Sequence, residues 1–265
     1  MDYLLIRRLC KWLVFTVFLV CIIVMIVTVG FVMIVTSAVI VKTFTAGFIR
    51  QTLARILMKI YRRYLTMTFN LDKIYLPNEN YLGFPNLAAV HSLDIDKWDS
   101  WKLRQNRVLL HTGLHFFCDD SFYECLWSYP DRYIDILMSY GSIVMPDFSL
   151  YYDMPVALQM FNKYRNHVLA RYFSNYGIKV IPNVSLSAPD CFPWSILGYP
   201  KESIVAFSAL GSKRSDSDFR ILCDAYDFMC DKLNPSLVLW FDSSPLAMPD
   251  DGRCIWIKAG GFLDG

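Results

Sequence analysis

Beyond residue 87 the chain alternates short apolar runs with longer stretches of helical periodicity. The apolar runs recur every 25 to 35 residues and predict buried strands over 114–118, 143–145, 178–181, 204–207 and 237–241, with one more over 87–90 or 108–110. Runs without polar alternation are typical of parallel strands that are covered on both faces. The pattern therefore predicts strands in the interior of a domain.

Helical patterns separate these strands, over 122–127, 132–140, 154–176 and 215–233. The longest helix is expected to begin at Asp153 as the N-cap, with Pro155 in the first turn, and to end at a left-handed Gly177. Ser215 and Asp218 have the spacing of a capping box at the start of the last helix. Strands that alternate with helices predict an α/β fold, with a mainly parallel sheet or an incomplete barrel of about five to six βα units.

The front of the chain has a different pattern, because residues 12–41 contain no charged residue over 30 positions. About 20 apolar residues are enough for a helix to cross a bilayer, and a cleaved signal peptide has a shorter apolar core. We therefore expect residues 1–42 to form an N-terminal transmembrane helix with basic flanks. The larger number of basic residues after the helix favours a single-pass membrane protein with a cytoplasmic C-terminal domain.

Residues 43–69 combine an apolar stripe with several basic residues, which predicts a basic amphipathic helix on the membrane surface. The expected partner is the lipid bilayer, through residues 12–41 and 44–65. The alternative is a helix that packs on the following domain and keeps its basic face in solvent. Residues 70–86 have the composition of a linker, and residues 87–265 are expected to form the α/β domain.

Net charge and cysteine spacing give no signal for nucleic-acid binding or for a structural zinc site. The net charge of the 265 residues is +2, from 26 basic and 24 acidic residues, so no overall field favours nucleic acid. The eight cysteines include no CxxC pair, so the spacing typical of a structural zinc site does not occur in the sequence.

Acidic residues follow three of the predicted strands, at Asp120, Asp147 and Asp242. The carboxyl ends of parallel strands meet at one edge of the sheet, where ligands bind in α/β folds. Three carboxylates at that edge are expected to hold Mg²⁺ or Mn²⁺, and His115 is a candidate for proton transfer beside them. The alternative is that these residues only cap turns and helices, as Asp often does at strand ends.

Basic residues supply candidates for anion binding. Arg165 lies in the predicted helix that follows Asp147, so it is expected to pair with that carboxylate or to receive a bound anion. Lys213 and Arg214 lie between a predicted strand and a helix N-terminus, where phosphate often binds, although the loop lacks P-loop spacing. The alternative for this loop is an exposed charged turn. The candidate catalytic residues are thus Asp147, Arg165 and His115.

Two short motifs carry a resemblance to a known family. The segments PDFS (146–149) and YRN (164–166) lie about fifteen residues apart, with GLHFFCDD (113–120) upstream and GIKVIPNVS (177–185) downstream. In these segments the chain resembles domain of unknown function 4417, a family of bacterial and phage proteins, over roughly residues 110–243. The resemblance implies no activity. It implies that the family's hallmark positions are Asp147, Ser149, Tyr164, Arg165 and Asn166.

Two hypotheses for the function follow. The first is metal-assisted phosphoester or nucleotide chemistry at the carboxyl ends of the strands, which the clustered acids and Arg165 favour. The second is a non-catalytic, membrane-tethered binding or scaffold module, in which PDFS and YRN hold a strand-to-helix junction together by hydrogen bonds. The absence of any known catalytic motif in the sequence favours the second.

Overall fold

The computed structural model describes residues 24–25, 56–57, 70, 80–212 and 215–259. The chain divides into two compact units, Met1–Arg63 and Tyr64–Gly265, and every strand described here belongs to the second. The described part contains seven strands, which are β1 (Lys97–Ser100), β2 (Leu109–His115), β3 (Tyr140–Val144), β4 (Val180–Ile181), β5 (Ile204–Ser208), β6 (Leu237–Asp242) and β7 (Cys254–Lys258).

All of the strand pairs between these elements are parallel. A four-stranded sheet has the order β1-β2-β3-β4, and a three-stranded sheet has the order β5-β6-β7. A parallel bridge between Asn183 and Ala206 joins the two sheets. Beside it, the Val184 amide donates to the Ala206 carbonyl at 2.9 Å, and the Ala206 amide donates to the Pro182 carbonyl at 2.8 Å. The strands therefore form a nearly continuous parallel array.

The array is curved into an incomplete barrel. An inner cluster takes alternate residues from strands of both sheets, including Val144, Ile181 and Leu239. Across this interior the ring of Trp98 on β1 lies 5.3 Å from the ring of Phe241 on β6, although these strands are far apart in the strand order. The prediction of a parallel α/β fold is confirmed, and the curvature is that of an incomplete barrel.

The helices cover the outer side of the barrel. They are α1 (Glu124–Ser128), α2 (Ile134–Met138), α3 (Val156–Asn175), α4 (Phe192–Ser195) and α5 (Asp216–Leu233). Short 3₁₀ helices lie at Trp101–Leu103, Asp120–Phe122, Pro130–Tyr133, Pro189–Cys191 and Pro245–Ala247. The largest core cluster forms between the outward side chains of the strands and these helices, and it includes Ile143, Phe173 and Trp240.

The helix ends test the predicted caps. The hydroxyl of Ser215 accepts a hydrogen bond from the Asp218 amide at 3.2 Å, which confirms the capping signal at α5. Gly177 follows α3 with a φ of 82°, as expected for a left-handed C-cap. Asp153 is not the N-cap of α3, because that helix begins at Val156 and Pro155 occupies the cap position. Proline in that position fixes an extended backbone just before the first turn.

Two strands were not predicted, and of the two alternatives for a further strand the one over 108–110 falls in β2, which begins at Leu109. β1 has the sequence KWDS, which contains too few apolar residues to be recognised, and β7 lies in the tail of the chain. Residues 87–90 do not form a strand, although the Val90 carbonyl accepts a hydrogen bond from the Ile204 amide at the start of β5, at 2.7 Å. The barrel therefore has more strands than the five or six units expected.

Within the described residues no helix is long and apolar enough to cross a membrane. Such a helix needs about 20 apolar residues, because the hydrocarbon core of a bilayer is about 30 Å thick. On this finding we withdraw the N-terminal transmembrane helix over residues 12–41 and the single-pass membrane localisation. Apart from positions 24–25 and 56–57, the stretches for which the transmembrane and amphipathic helices were predicted lie outside the described residues.

Candidate functional site

Asp120 follows β2 and forms hydrogen bonds with the segment that follows β3. Its carboxylate accepts hydrogen bonds from the amide and from the hydroxyl of Ser149, both at 3.0 Å. The hydroxyl of Tyr123 lies 2.8 Å from the same carboxylate and 2.5 Å from the carbonyl oxygen of Asp147. Asp120 and Asp147 are therefore brought together, as the strand-end rule predicts, and protein groups already bond to Asp120.

Asp147 lies between the ends of β3 and β4. Its Oδ1 accepts a hydrogen bond from the Ser185 hydroxyl at 2.5 Å, and the Ser185 hydroxyl in turn accepts from the Asn183 amide group at 3.0 Å. Part of the residue reaches the surface, but its surroundings are dense enough that burial raises the pKa of the carboxyl to about 6. The hydrogen bond from Ser185 opposes this rise in pKa, and the nearby Asp120 carboxylate adds to it.

A buried lysine lies behind this carboxylate. Lys163, on α3, is fully buried, and its Nζ donates to the carbonyl of Ser185 at 3.1 Å and to the Tyr199 hydroxyl at 2.6 Å. The Tyr199 hydroxyl donates to the carbonyl of Asn183 at 2.5 Å. Burial lowers the pKa of Lys163 to about 7, although the charge of Asp147 opposes the change. The ammonium group thus joins α3 to the segment after β4.

Side chains on one face of α3 bond to the backbone that leaves β3. The Asn166 side chain accepts from the Phe148 amide at 2.8 Å and donates to the Phe148 carbonyl at 3.2 Å. The Asn162 amide group donates to the carbonyl of Ser149 at 2.7 Å. Both asparagines are buried. They satisfy backbone groups that would otherwise be buried without partners.

Arg165 does not pair with Asp147 but with Glu124 on α1. Its guanidinium donates to both carboxylate oxygens of Glu124, at 3.0 and 2.9 Å, and to Oδ1 of Asn162 at 2.6 Å. It also lies over the ring of Phe148, with Cζ 3.7 Å from the ring centre. Aromatic stacking of this kind suits a planar guanidinium. Arg165 therefore packs over the outer side of the junction between β3 and α3.

His115 lies inside the barrel, on the other side of the strands from this network. It is 3% exposed, and its ring lies 5.5 Å from that of Phe117 and 5.3 Å from that of Phe241. Burial lowers its pKa to about 4. Along β2 it alternates with Leu114 and Phe116, which belong to the outer core. The structure thus separates His115 from the carboxylates that it was expected to serve.

Asp242 ends β6, which is three strands from β3 when the order is followed through the bridge between the sheets. Its Oδ1 accepts from the Ser243 amide at 2.7 Å. Among the residues with described positions, no group of three or more His, Cys, Asp or Glu side chains is arranged to hold a metal ion. The expected set of Asp120, Asp147 and Asp242 therefore does not fit Mg²⁺ or Mn²⁺ as one site. Lys213 and Arg214 lie outside the described residues.

Most of the chain matches a known protein family. The sequence profile described as Domain of unknown function (DUF4417) matches residues 77–257, well over half of the chain. The chain belongs to the DUF4417 family. Two phage proteins are similar to this DUF4417 chain, and both have the name "Gene 1 protein". The protein of Mycobacterium phage L5 is 37% identical over 161 residues, which is 56% of this chain and 70% of the phage protein.

The protein of Mycobacterium phage D29 is 32% identical over 178 residues, which is 66% of this chain and 63% of the phage protein. The match thus spans less than two thirds of the D29 protein. No solved structure matches the chain. These relatives place the chain in a family found in phages, and their names assign no activity.

Residues of the PDFS and YRN motifs meet at the junction between β3 and α3, together with residues that the sequence did not single out. Lys163, Asn162 and Tyr199 are the additions. One signal was present in the sequence, because polar residues recur along α3 at helical spacing and are buried there. This polar stripe consists of Gln159, Asn162, Lys163, Asn166 and His167. A stripe of this type beside an apolar face indicates hydrogen bonds to neighbouring backbone.

Proposed function

We propose that this DUF4417 domain is a non-catalytic binding module. The junction between β3 and α3 supports this proposal, because its polar side chains bond to the backbone that leaves β3. Asp120, Asn162 and Asn166 together bond to the backbone of Phe148 and Ser149. Groups used in this way hold a loop in a fixed shape. Their role in the proposal is therefore structural.

Metal-assisted phosphoester chemistry has less support. The described junction offers a pair of carboxylates, Asp120 and Asp147, and both accept hydrogen bonds from protein groups. The guanidinium of Arg165 forms an ion pair with Glu124, so an anion would have to compete with that carboxylate. Mg²⁺ favours an octahedral set of oxygen ligands, which this pair alone does not supply.

The binding surface in this proposal is the open seam of the barrel, between β1 and β7. Within the described strands β1 pairs with β2 alone, and β7 pairs with β6 alone. A groove of about 400 Å³ separates these edges. Its lining is mainly apolar, with charged residues beside it, and consists of Leu93, Ile95, Asp96, Lys97, Trp98, Leu239, Ile255, Trp256, Ile257 and Lys258.

The observation that carries the proposal is the exposure of Ile255. Alternate residues of a strand point to the same side, so Ile255 faces the same side as Ile257, which packs against the inner cluster. Ile255 is nevertheless 52% exposed. We attribute the exposure of this inward-facing isoleucine to the edge of β7, which has no partner strand on that side among the described residues.

The partner we propose is an extended peptide that adds a strand to the seam. A strand edge presents a row of unpaired N–H and C=O groups, which an extended chain can pair with along its whole length. Alternate side chains of such a peptide would point into the barrel and cover Ile255 and Trp98. We therefore expect the bound sequence to alternate apolar and polar residues.

A peptide selection tests this function. The full chain is used to select from a library of random linear peptides, and the selected peptides are then measured against Ile255→Lys and Leu246→Lys. Leu246 is 94% exposed and lies outside the seam, so its variant is the matched control. We expect alternating apolar peptides that bind the parent and the control but not Ile255→Lys. Peptides that bind Ile255→Lys as well as the parent would rule out the seam.

A further inference from the structure

An apolar groove lies on the outer side of the barrel, away from the seam. It has a volume of about 350 Å³ and lies between α5 and the segment that follows β6. Among its lining residues Leu222 and Trp240 are buried, whereas Phe219 and Leu246 are 41% and 94% exposed. The groove therefore offers apolar side chains that a partner can reach.

Leu246 is exposed on a short turn with a fixed backbone. The turn is the 3₁₀ helix Pro245–Ala247, and the hydroxyl of Ser244 accepts a hydrogen bond from the Leu246 amide at 3.3 Å. The Met248 amide donates to the Pro245 carbonyl at 3.0 Å, and proline restricts the backbone at position 245. Single exposed leucines are common, but exposed apolar side chains grouped around a groove indicate an interaction site.

The groove runs along α5 for more than two turns. Phe219, Leu222 and Tyr226 all line it, and they lie three or four positions apart on one face of the helix. The lining extends from Phe219 to Asp227, which is about 12 Å at 1.5 Å per residue. A second helix presents apolar side chains at i, i+3 or i+4, and i+7 over a similar length. The groove therefore suits one face of a helix.

Acidic residues border the groove. α5 contains five aspartates against Arg220 and Lys232, so its side chains have a net charge of −3. Asp227 lines the groove, and Asp224 lies three positions before it on the exposed side of the helix. On the other side, the exposed Asp250 directly follows the segment that lines the groove. A helix that fits here should therefore carry lysine or arginine beside its apolar residues.

We propose that this groove binds a basic amphipathic helix of a partner protein. The apolar side chains of that helix pack against Leu246 and Phe219, and its basic side chains face the aspartates of α5. Burial of the apolar side chains provides most of the affinity, and the aspartates favour a basic helix over an acidic one. The groove is independent of the seam, because Trp240 and Leu239, which line the two, point to opposite sides of β6.

Two synthetic peptides are matched probes for the groove. Each has about 18 residues, because shorter helices are marginal in water. Both carry the same leucines on one face, and they differ only in several positions of the other face, which are lysine in one peptide and glutamate in the other. Each is fluorescently labelled and titrated with the full chain, and binding is measured by anisotropy. We expect the lysine peptide to bind roughly tenfold more tightly, with a preference that falls as salt rises.

Variants of the groove separate docking from a general attraction between charges. Leu246→Glu removes the exposed leucine but adds negative charge, so packing in the groove predicts roughly tenfold weaker binding of the lysine peptide, whereas attraction alone predicts tighter binding. Asp227→Lys should also weaken this peptide, and Asp153→Lys, the same change at an exposed site outside the groove, is the control.

Three results would overturn the proposal. The first is equal affinity of the two peptides for the parent, or no binding of the lysine peptide. The second is unchanged or tighter binding of the lysine peptide to Leu246→Glu, which is 94% exposed in the parent and is not needed for folding. The third is an equal loss of binding in Asp227→Lys and Asp153→Lys.

Discussion

The junction between β3 and α3 and the seam between β1 and β7 differ in how their hydrogen-bonding groups are used. At the junction, the side chains of Asn162, Asn166 and Asp120 satisfy the backbone that leaves β3. At the seam, two strand edges have no partner strand among the described residues, and Ile255 is exposed although it faces inward. The junction is closed by its own side chains, and the seam is open.

A sequence motif can stabilise the fold or bind a partner, and the difference between these two regions bears on which role PDFS and YRN have. PDFS and YRN lie at the junction, where they make the internal bonds, whereas the seam contains neither motif. Closed networks of buried polar groups tolerate little substitution, because each lost partner leaves another group unsatisfied. The PDFS and YRN motifs can therefore reflect the demands of the fold, while the proposed binding surface lies elsewhere.

The largest expected effect is at Asn166. Replacing it with alanine leaves both the N–H and the C=O of Phe148 buried without a partner. Each such group costs about 1 to 3 kcal/mol, so Asn166→Ala should lower the free energy of unfolding by roughly 2 to 6 kcal/mol. Asn175→Ala is the control, since Asn175 lies on the same helix and is exposed. Urea unfolding of both variants measures the effect. Equal unfolding midpoints for the two variants would contradict the claim that Asn166 satisfies buried backbone groups.

The second prediction concerns the pH dependence of stability at Asp147. Its folded-state pKa is about 6, whereas an unfolded Asp has a pKa of about 3.9. Between these values the folded state binds more protons, so this group makes stability fall as pH rises, and its effect is constant above about pH 6. Asp147→Asn should therefore gain stability relative to the parent between pH 4 and 6, by roughly 1 to 3 kcal/mol in total.

Unfolding midpoints of the parent and Asp147→Asn across this pH range give that difference directly. Other carboxyl groups titrate in the same range, but they contribute equally to both proteins and cancel. A difference between the two proteins that does not change with pH would show that Asp147 is not the group responsible.

The third prediction is smaller and separates two partners of Arg165. The side chain of Glu124 is 48% exposed, so its ion pair with Arg165 should contribute less than about 1 kcal/mol. A double-mutant cycle with Arg165→Ala and Glu124→Gln should give a coupling energy of that size. The cycle of Arg165→Ala with Asp147→Asn should be additive within about 0.5 kcal/mol. A coupling energy of Arg165 with Asp147 that is larger than its coupling energy with Glu124 would support the Arg165–Asp147 pair expected from the sequence.

The sequence predicts the buried parts of the fold well. β3, β5 and β6 are apolar runs, and α5 has both its capping signal and its apolar stripe, so local pattern and packing agree. The edge strands β1 and β7 were not predicted, for different reasons. In β1 the polar residues Lys97 and Asp99 leave no apolar run, whereas β7 does contain an apolar run, Cys254 to Ile257, that was not recognised in the tail of the chain.

The candidate site could be predicted only in part. The rule for strand ends places Asp120 and Asp147 together correctly. It does not say on which side of the strand a residue lies, and this separates His115 from the carboxylates. It also does not identify partners that come from distant parts of the chain, such as Glu124 for Arg165 and Tyr199 for Lys163. Such contacts depend on how the helices pack over the sheet.

The smallest effect on stability is expected for a substitution at the seam, and a small effect would show that Ile255 is exposed in solution. Ile255 is already 52% exposed, so a lysine in its place can extend its charge into water at little cost. Ile255→Lys should therefore change the free energy of unfolding by no more than about 0.5 kcal/mol, as most surface substitutions do. Ile257→Lys is the contrasting variant, because Ile257 faces the same way but packs against the inner cluster. Thermal unfolding of the two variants should show a clear loss for Ile257→Lys alone, and a comparable loss for Ile255→Lys would mean that the seam is closed in solution.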